Sequence, residues 1–180
     1  MRHPRLEILR KKLFVGLLSL GAILLFFGPS NVLASGVVEV RTVEALSLGE
    51  RVSYLEDPDG TFNAEELISE SGRKRFTPNE TEVPSFGYTS SVYWFVVDFI
   101  NAGQVPVERI LEIGYPVLDD IELFVYSGAD SNPNHLIAGD KFPFSKREIN
   151  HRNFIFPLVF QPDTPTTILI RLKTESSMQL

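Results

Sequence analysis

Apolar and polar residues alternate along most of the chain beyond its first 34 residues, and this period of two constrains the fold more than any other feature. Successive side chains of a β-strand point to opposite faces of its sheet, so alternation is typical of a half-buried strand. The segment 92–101 has one uninterrupted apolar face, made of Tyr93, Phe95, Val97 and Phe99. The chain is therefore predicted to be largely β, and its regular short strands favour a sandwich or a barrel.

The pattern predicts seven strands and one short helix. The strands are predicted at Val37–Val43, Arg51–Leu55, Val92–Asn101, Val107–Tyr115, Asp120–Tyr126, Asn153–Leu158 and Thr166–Lys173. The helix is predicted over about residues 63–70, because Asn63 is a capping residue type followed by two early acids, Glu65 and Glu66. Ser176–Leu180 resembles the start of a further strand without a partner, which predicts that the chain is part of a longer polypeptide whose closing strand is cut short.

The first 34 residues have the layout of a secretory signal peptide. Residues 1–12 are basic, and residues 13–27 are apolar and uncharged, shorter than the roughly 20 residues that cross a bilayer. A Gly-Pro pair follows, and Val32 and Ala34 supply the small residues that a signal peptidase requires. Cleavage is predicted between Ala34 and Ser35, with an uncleaved anchor as the alternative. Residues 35–180 are then one exported domain.

Composition excludes several classes of function. Residues 35–180 hold 12 Lys and Arg against 22 Asp and Glu, a net charge of −10, which repels nucleic-acid phosphates. The chain has no Cys, so disulfides, thiolate zinc sites and thiol nucleophiles are excluded. Its three histidines are His3, His135 and His151, and none has a second histidine at metal-ligand spacing. No catalytic residue, metal or cofactor is predicted, although 22 acids leave an unrecognised glycosidase pair open.

Four blocks in order carry a resemblance to a known family. They are Tyr54–Gly60; Phe86–Thr89 with Tyr93 and Trp94; Gly114–Pro116 with Leu118 and Asp119; and Phe142–Arg147 leading to His151–Phe154. The set resembles the type-two extracellular domain of bacterial seven-transmembrane receptors with diverse intracellular signalling modules. The resemblance implies a periplasmic jelly-roll β-sandwich, similar to carbohydrate-binding modules, before seven membrane spans and a cytoplasmic output such as a diguanylate cyclase or histidine kinase. This chain shows neither spans nor output, so a receptor fragment and a free-standing sensor both stay open.

One candidate ligand site follows from the strand faces. If the apolar face of 92–101 is the core face, Trp94 and Asp98 point outward as an aromatic plate beside a hydrogen-bond acceptor, a pairing suited to sugars. Glu122 and Tyr126 point outward on a later strand in the same way. In the alternative interpretation, these aromatic side chains fill a second layer against the short helix.

A second candidate site is a loop rich in nitrogen donors. Arg147, His151 and Arg152 are predicted as a clamp for a carboxylate or an acidic sugar, and the alternative is that the arginines pair with some of the acids. Asp119 and Asp120 form a carboxylate pair, but adjacent strand residues face opposite ways, which favours a solvated turn over a calcium site.

The sequence favours a non-catalytic, extracytoplasmic sensor domain that binds a small, carbohydrate-like molecule. The resemblance adds a seven-helix membrane portion and a signalling output as partners. Two other hypotheses remain: a structural or protein-binding module of the cell envelope, and a carbohydrate-active enzyme.

Overall fold

The structure is a computed structural model and describes residues 36–40 and 45–180. The predicted export signal and its cleavage site at Ala34 and Ser35 lie outside the described residues, as does the end of the predicted strand Val37–Val43. No helix in the described part of the chain is both long and apolar enough to cross a bilayer.

Eleven strands and two short α-helices make up the described chain. The strands are β1 (Val38–Glu39), β2 (Ser53–Asp57), β3 (Thr77–Pro78), β4 (Ser85–Tyr88), β5 (Val92–Ile100), β6 (Val107–Ile113), β7 (Asp120–Ser127), β8 (Asn134–Ala138), β9 (Phe154–Phe160), β10 (Thr166–Lys173) and β11 (Ser177–Gln179). The helices are α1 (Ala64–Ile68) and α2 (Glu70–Arg73), with single 3-10 turns at Gly49–Arg51 and Phe144–Lys146.

The largest sheet has the strand order β3-β2-β5-β10-β7-β8, and β1 pairs in parallel with the end of β5. All its other pairings are antiparallel. Two smaller antiparallel sheets, β6-β9 and β4-β11, contribute side chains to the same core as one face of the large sheet. The fold is therefore an all-β sandwich, as the alternation predicts.

The main core forms on the predicted face of β5. Tyr93, Phe95, Val97 and Phe99 are all buried there, and Phe95 has no exposed surface. The neighbouring β10 and β7 supply further buried aliphatic side chains, and β9 faces them with four alternate residues, Phe154, Phe156, Leu158 and Phe160. This confirms the choice of core face.

The opposite face of the large sheet is covered by the helices. Leu67 of α1 has no exposed surface and packs in a second apolar cluster with Trp94 and Leu169. The sequence predicts one helix here, but Ser69 has an extended backbone (ψ 159°) that ends α1, and its Oγ accepts from the Gly72 N–H at 3.1 Å to begin α2. The single predicted helix is therefore two short ones.

The last residues of the chain do have a partner strand. β11 pairs with β4, with Ser177 opposite Tyr88, and the Met178 side chain is fully buried in the main core. The prediction of an unpartnered strand is wrong because β4, a Ser-Phe-Gly-Tyr segment, shows no alternation that would reveal it as a strand. β8 was not predicted either, since its sequence lies within a cluster of turn-forming residues.

We expect Leu67→Ala to lower the free energy of unfolding by about 2–5 kcal/mol, because it opens a cavity between α1 and the sheet. Denaturant unfolding followed by circular dichroism measures this change. Ile137→Ala on β8 is the matched control, since that side chain is 54% exposed and should cost much less. Equal effects of the two substitutions would contradict the role given to α1 in closing this face.

Candidate functional site

Trp94 lies inside the protein, beneath the helices. Its side chain is 1% exposed, and its Nε1 donates a hydrogen bond to Asp57 Oδ2 at 3.3 Å. The Phe124 ring stacks beside it with ring centroids 6.0 Å apart. The prediction that Trp94 presents an open aromatic plate is wrong, because the helical residues Ala64 and Leu67 share its buried cluster. The alternative interpretation, a second layer packed against the helical segment, is confirmed.

Asp98 and Tyr126 are brought together by β10, where Thr167 pairs with both of them in register. Asp98 forms an ion pair with Arg73 of α2, and its Oδ1 accepts from Thr167 Oγ1 at 2.6 Å. Tyr126 is buried, and its hydroxyl has no hydrogen-bond partner in the described part of the chain. Burial, reinforced by the Glu65 carboxylate, raises the pKa of Tyr126. These side chains join the helices to the sheet, and they do not form the outward-facing ligand surface that the strand faces predict.

Glu122 is held by its neighbours on the sheet. One carboxylate oxygen accepts from Arg171 Nη1 at 2.8 Å, and the other lies 2.9 Å from His135 Nε2. The His135 ring also stacks on Phe124, with ring centroids 4.3 Å apart. Glu122 therefore links three adjacent strands, β10, β7 and β8, through contacts on one face of the sheet.

Arg147 organises its own loop. Its Nη1 donates to the carbonyl oxygens of His151, at 2.7 Å, and Arg152, at 2.6 Å. Its guanidinium also lies 4.9 Å from the ring centroid of Phe144 and 4.4 Å from that of Phe154. The guanidinium thus holds the loop closed. Neither prediction for Arg147, a ligand clamp or an ion pair with an acid, describes these contacts. The side chains of His151 and Arg152 are exposed, and their part in ligand binding stays a prediction.

Asp119 and Asp120 serve different partners, as their opposite orientations predict. Asp119 Oδ2 accepts from Thr174 Oγ1 at 2.9 Å and from the Glu175 backbone N–H at 2.6 Å. Asp120 forms an ion pair with Lys141. Within the described residues, no group of three or more His, Asp or Glu side chains is arranged to hold a metal ion.

An open cleft lies at the end of the sandwich where β5 begins and β10 ends. It has a volume of about 850 Å³. The Tyr88 ring borders it and is 84% exposed. Lys173 also borders it and has no ion-pair partner among the residues described. The full lining is Tyr88, Thr89, Ser90, Asp119, Asp120, Lys141, Lys173, Thr174 and Glu175.

This cleft combines an accessible aromatic ring with many hydrogen-bonding groups. Aromatic faces bind the apolar faces of ligands, while hydroxyl, ammonium and carboxylate groups fix polar ones. Gly87 has a φ of +69°, a left-handed conformation that shapes the chain just before Tyr88. The sequence patterns did not identify the cleft as a site because its residues come from four separated segments and mostly lie at strand ends.

Tyr93 is the most strongly perturbed ionisable group in the sandwich. Burial raises its pKa to about 12, and the Glu56 carboxylate opposite it on β2 adds to the effect by charge and by hydrogen bonding. Ser91 Oγ donates to the same carboxylate at 2.8 Å. Tyr93 therefore stays protonated in the folded protein and has a structural role at the edge of the main core.

Comparison with known proteins identifies one family. The family described as 7TMR-DISM extracellular 2 matches residues 49–180 of the chain. This range includes every strand from β2 to β11 and the whole lining of the cleft. No curated protein matches the sequence.

We expect the fluorescence of Trp94 to be that of a buried indole. It is the single tryptophan of the chain, so native emission should lie at short wavelength and be poorly quenched by iodide. Unfolding in denaturant should shift the emission to the red and increase quenching. N-acetyl-tryptophanamide is the control for full exposure, and native quenching equal to that of this compound would contradict the buried position.

We expect stability to fall as the pH rises from about 10 to about 12. The unfolded chain releases the Tyr93 proton near pH 10, whereas the folded protein keeps it until about pH 12, so alkali favours unfolding. Denaturant midpoints measured across this interval test the effect. Tyr93→Phe should reduce the loss, and Tyr88→Phe, which removes an exposed hydroxyl, should keep the wild-type dependence. The same loss in Tyr93→Phe would contradict the assignment.

Proposed function

Because this chain belongs to the family of receptor extracellular domains described as 7TMR-DISM extracellular 2, we propose that it is a sensor domain that binds a small, carbohydrate-like ligand outside the cytoplasm. The family itself fits an extracellular sensor role. The proposal adds a ligand class, a binding site and a non-catalytic mode of action.

The observation that carries the proposal is the open cleft bordered by Tyr88. Its volume of about 850 Å³ is in the range of small-molecule sites. A sugar ring stacked on the Tyr88 face would bury apolar C–H groups, and its hydroxyls would meet the polar side chains of Thr89, Ser90 and Lys173. Both donors and acceptors are thus within one open surface.

The carboxylates of the cleft favour recognition over hydrolysis. A glycosidase requires one carboxyl group to act as an acid and another to act as a base or a nucleophile. Asp119 is engaged by Thr174 and the Glu175 N–H, and Asp120 is engaged by Lys141. These contacts occupy two of the three carboxylates that line the cleft, so we assign Asp119 and Asp120 to shaping it.

Binding at Tyr88 has a direct structural route to the rest of the domain. Tyr88 is the last residue of β4 and lies opposite Ser177 of β11, while Met178 anchors β11 in the core. A ligand that binds one arrangement of the β4-β11 pair more tightly than another would shift the balance between them. In a receptor, we propose that this shift is passed to the seven-helix membrane portion.

The proposal is tested by screening the purified chain on a glycan array and by thermal shift. A hit should bind about fivefold more weakly to Tyr88→Ala, since loss of an aromatic contact removes on the order of 1 kcal/mol. Phe144→Ala is the matched control, because Phe144 is an exposed aromatic residue (54%) that does not line the cleft. Ligands that bind the wild type should bind Phe144→Ala with the same affinity.

Two outcomes contradict the proposal. Hits that bind equally to wild type and Tyr88→Ala would place recognition elsewhere on the domain. Release of a product from a bound saccharide would overturn the non-catalytic assignment.

A further inference from the structure

A second cavity lies at the opposite end of the sandwich from the Tyr88 cleft. Tyr88 precedes the start of β5, whereas this cavity is bordered by Phe99 near the end of β5. The strand has nine residues, which corresponds to roughly 30 Å at about 3.3 Å per residue. The two sites are therefore separate, and ligand binding in this cavity does not depend on ligand binding in the Tyr88 cleft.

The second cavity has polar and apolar walls, and the apolar part is continuous with the main core. Its volume is about 560 Å³, which is enough for a small organic ligand. The wall residues come from β1, β5, β6, β9 and the segment 45–51, and five of them are buried members of the main core: Val38, Phe99, Leu111, Leu158 and Phe160. A hydrocarbon group entering this space would leave water for an apolar environment.

Charged groups border the same cavity. Arg51 and Arg109 contribute guanidinium groups. Glu39 contributes a carboxylate that already interacts with another residue. Nη1 of Arg109 donates to the backbone carbonyl of Glu108 at 2.6 Å. Nη2 of Arg109 is buried and has no hydrogen-bond partner among the described residues.

An unpaired buried guanidinium N–H is costly, and an anionic oxygen is its best partner. A ligand that satisfies Arg109 while filling the apolar space needs an anionic head and a hydrocarbon body. A sugar suits the apolar part of this space less well, since hydroxyl groups that face Val38, Leu158 and Phe160 would lack partners.

We propose that this cavity binds a medium-chain carboxylate, with its carboxylate on Arg109 and its alkyl chain against the core wall of β1, β6 and β9. Arg51 adds a second positive charge to the lining of the cavity. The ligand class is thus an amphipathic acid, which differs in chemistry from the polar ligand proposed for the Tyr88 cleft.

Isothermal titration of the purified chain with decanoate tests the proposal, and decanol is the uncharged ligand of equal length. Decanoate should bind, and decanol should bind at least about tenfold more weakly. Arg109→Gln should reduce decanoate affinity by a similar factor, whereas Arg75→Gln, an exposed arginine outside the cavity, should leave it unchanged. Absence of decanoate binding, equal binding of decanol, or an equal effect of the two substitutions would overturn the proposal.

A second pair of variants keeps the test valid if Arg109→Gln unfolds the chain. Ile110 borders the cavity and is 63% exposed, and Val159 is an exposed residue (52%) on the adjacent strand that does not border it. Ile110→Glu should weaken decanoate binding by placing a repelling negative charge at the border of the cavity, while Val159→Glu should not. Equal affinities of these two variants for decanoate would overturn the proposal. Tyr88→Ala, which changes the other site, should bind decanoate with wild-type affinity.

Discussion

The burial of β5 on both faces is the constraint on which the rest of the structure depends. The odd-numbered side chains of β5 are buried in the main core, and those of Val92, Trp94 and Val96 are buried in the second cluster. A strand that is apolar on both faces needs a covering layer on each side. The small sheets provide one layer and the helices provide the other. Consequently the broad faces of this part of the sheet are closed, and the open sites lie at the two ends.

The alternation of side chains predicts the longer strands and the core face correctly because it depends only on local geometry, whereas it misses β3, β4 and β8. It placed Trp94 on the face opposite Phe95, which is true in the structure. It did not reveal that this face is covered, because covering depends on how the Ala64–Ile68 segment packs, and packing is a long-range property. The sequence predicts the short helix, and the apolar residues Ala64 and Leu67 of that helix indicate that it needs an apolar surface such as Trp94 to pack on.

The candidate sites were harder to predict than the fold. Arg147 hydrogen-bonds to backbone carbonyls of its own loop. Because every residue has a backbone carbonyl, the sequence does not indicate which ones will be the partners. The Tyr88 cleft and the Arg109 cavity each join residues distant along the chain. Strand pairing brings these walls together: β7 with β10 places Asp120 beside Lys173 in the cleft, and β1 with β5 places Val38 beside Phe99 in the cavity. The family resemblance identified the domain because it rests on ordered blocks, which do not require knowledge of contacts.

The strand order has a consequence for how the protein is made. β10 lies between β5 and β7 in the large sheet, although it is the second-last strand along the chain. A polypeptide that emerges with its N-terminus first, from a ribosome or through a translocation pore, exposes the inner edges of β5 and β7 until residues 166–173 arrive. Bare strand edges promote association between chains, and distant pairings fold slowly. Completion of this sheet is therefore a late step, and a holding chaperone that shields β5 in the interval would raise the yield of native protein.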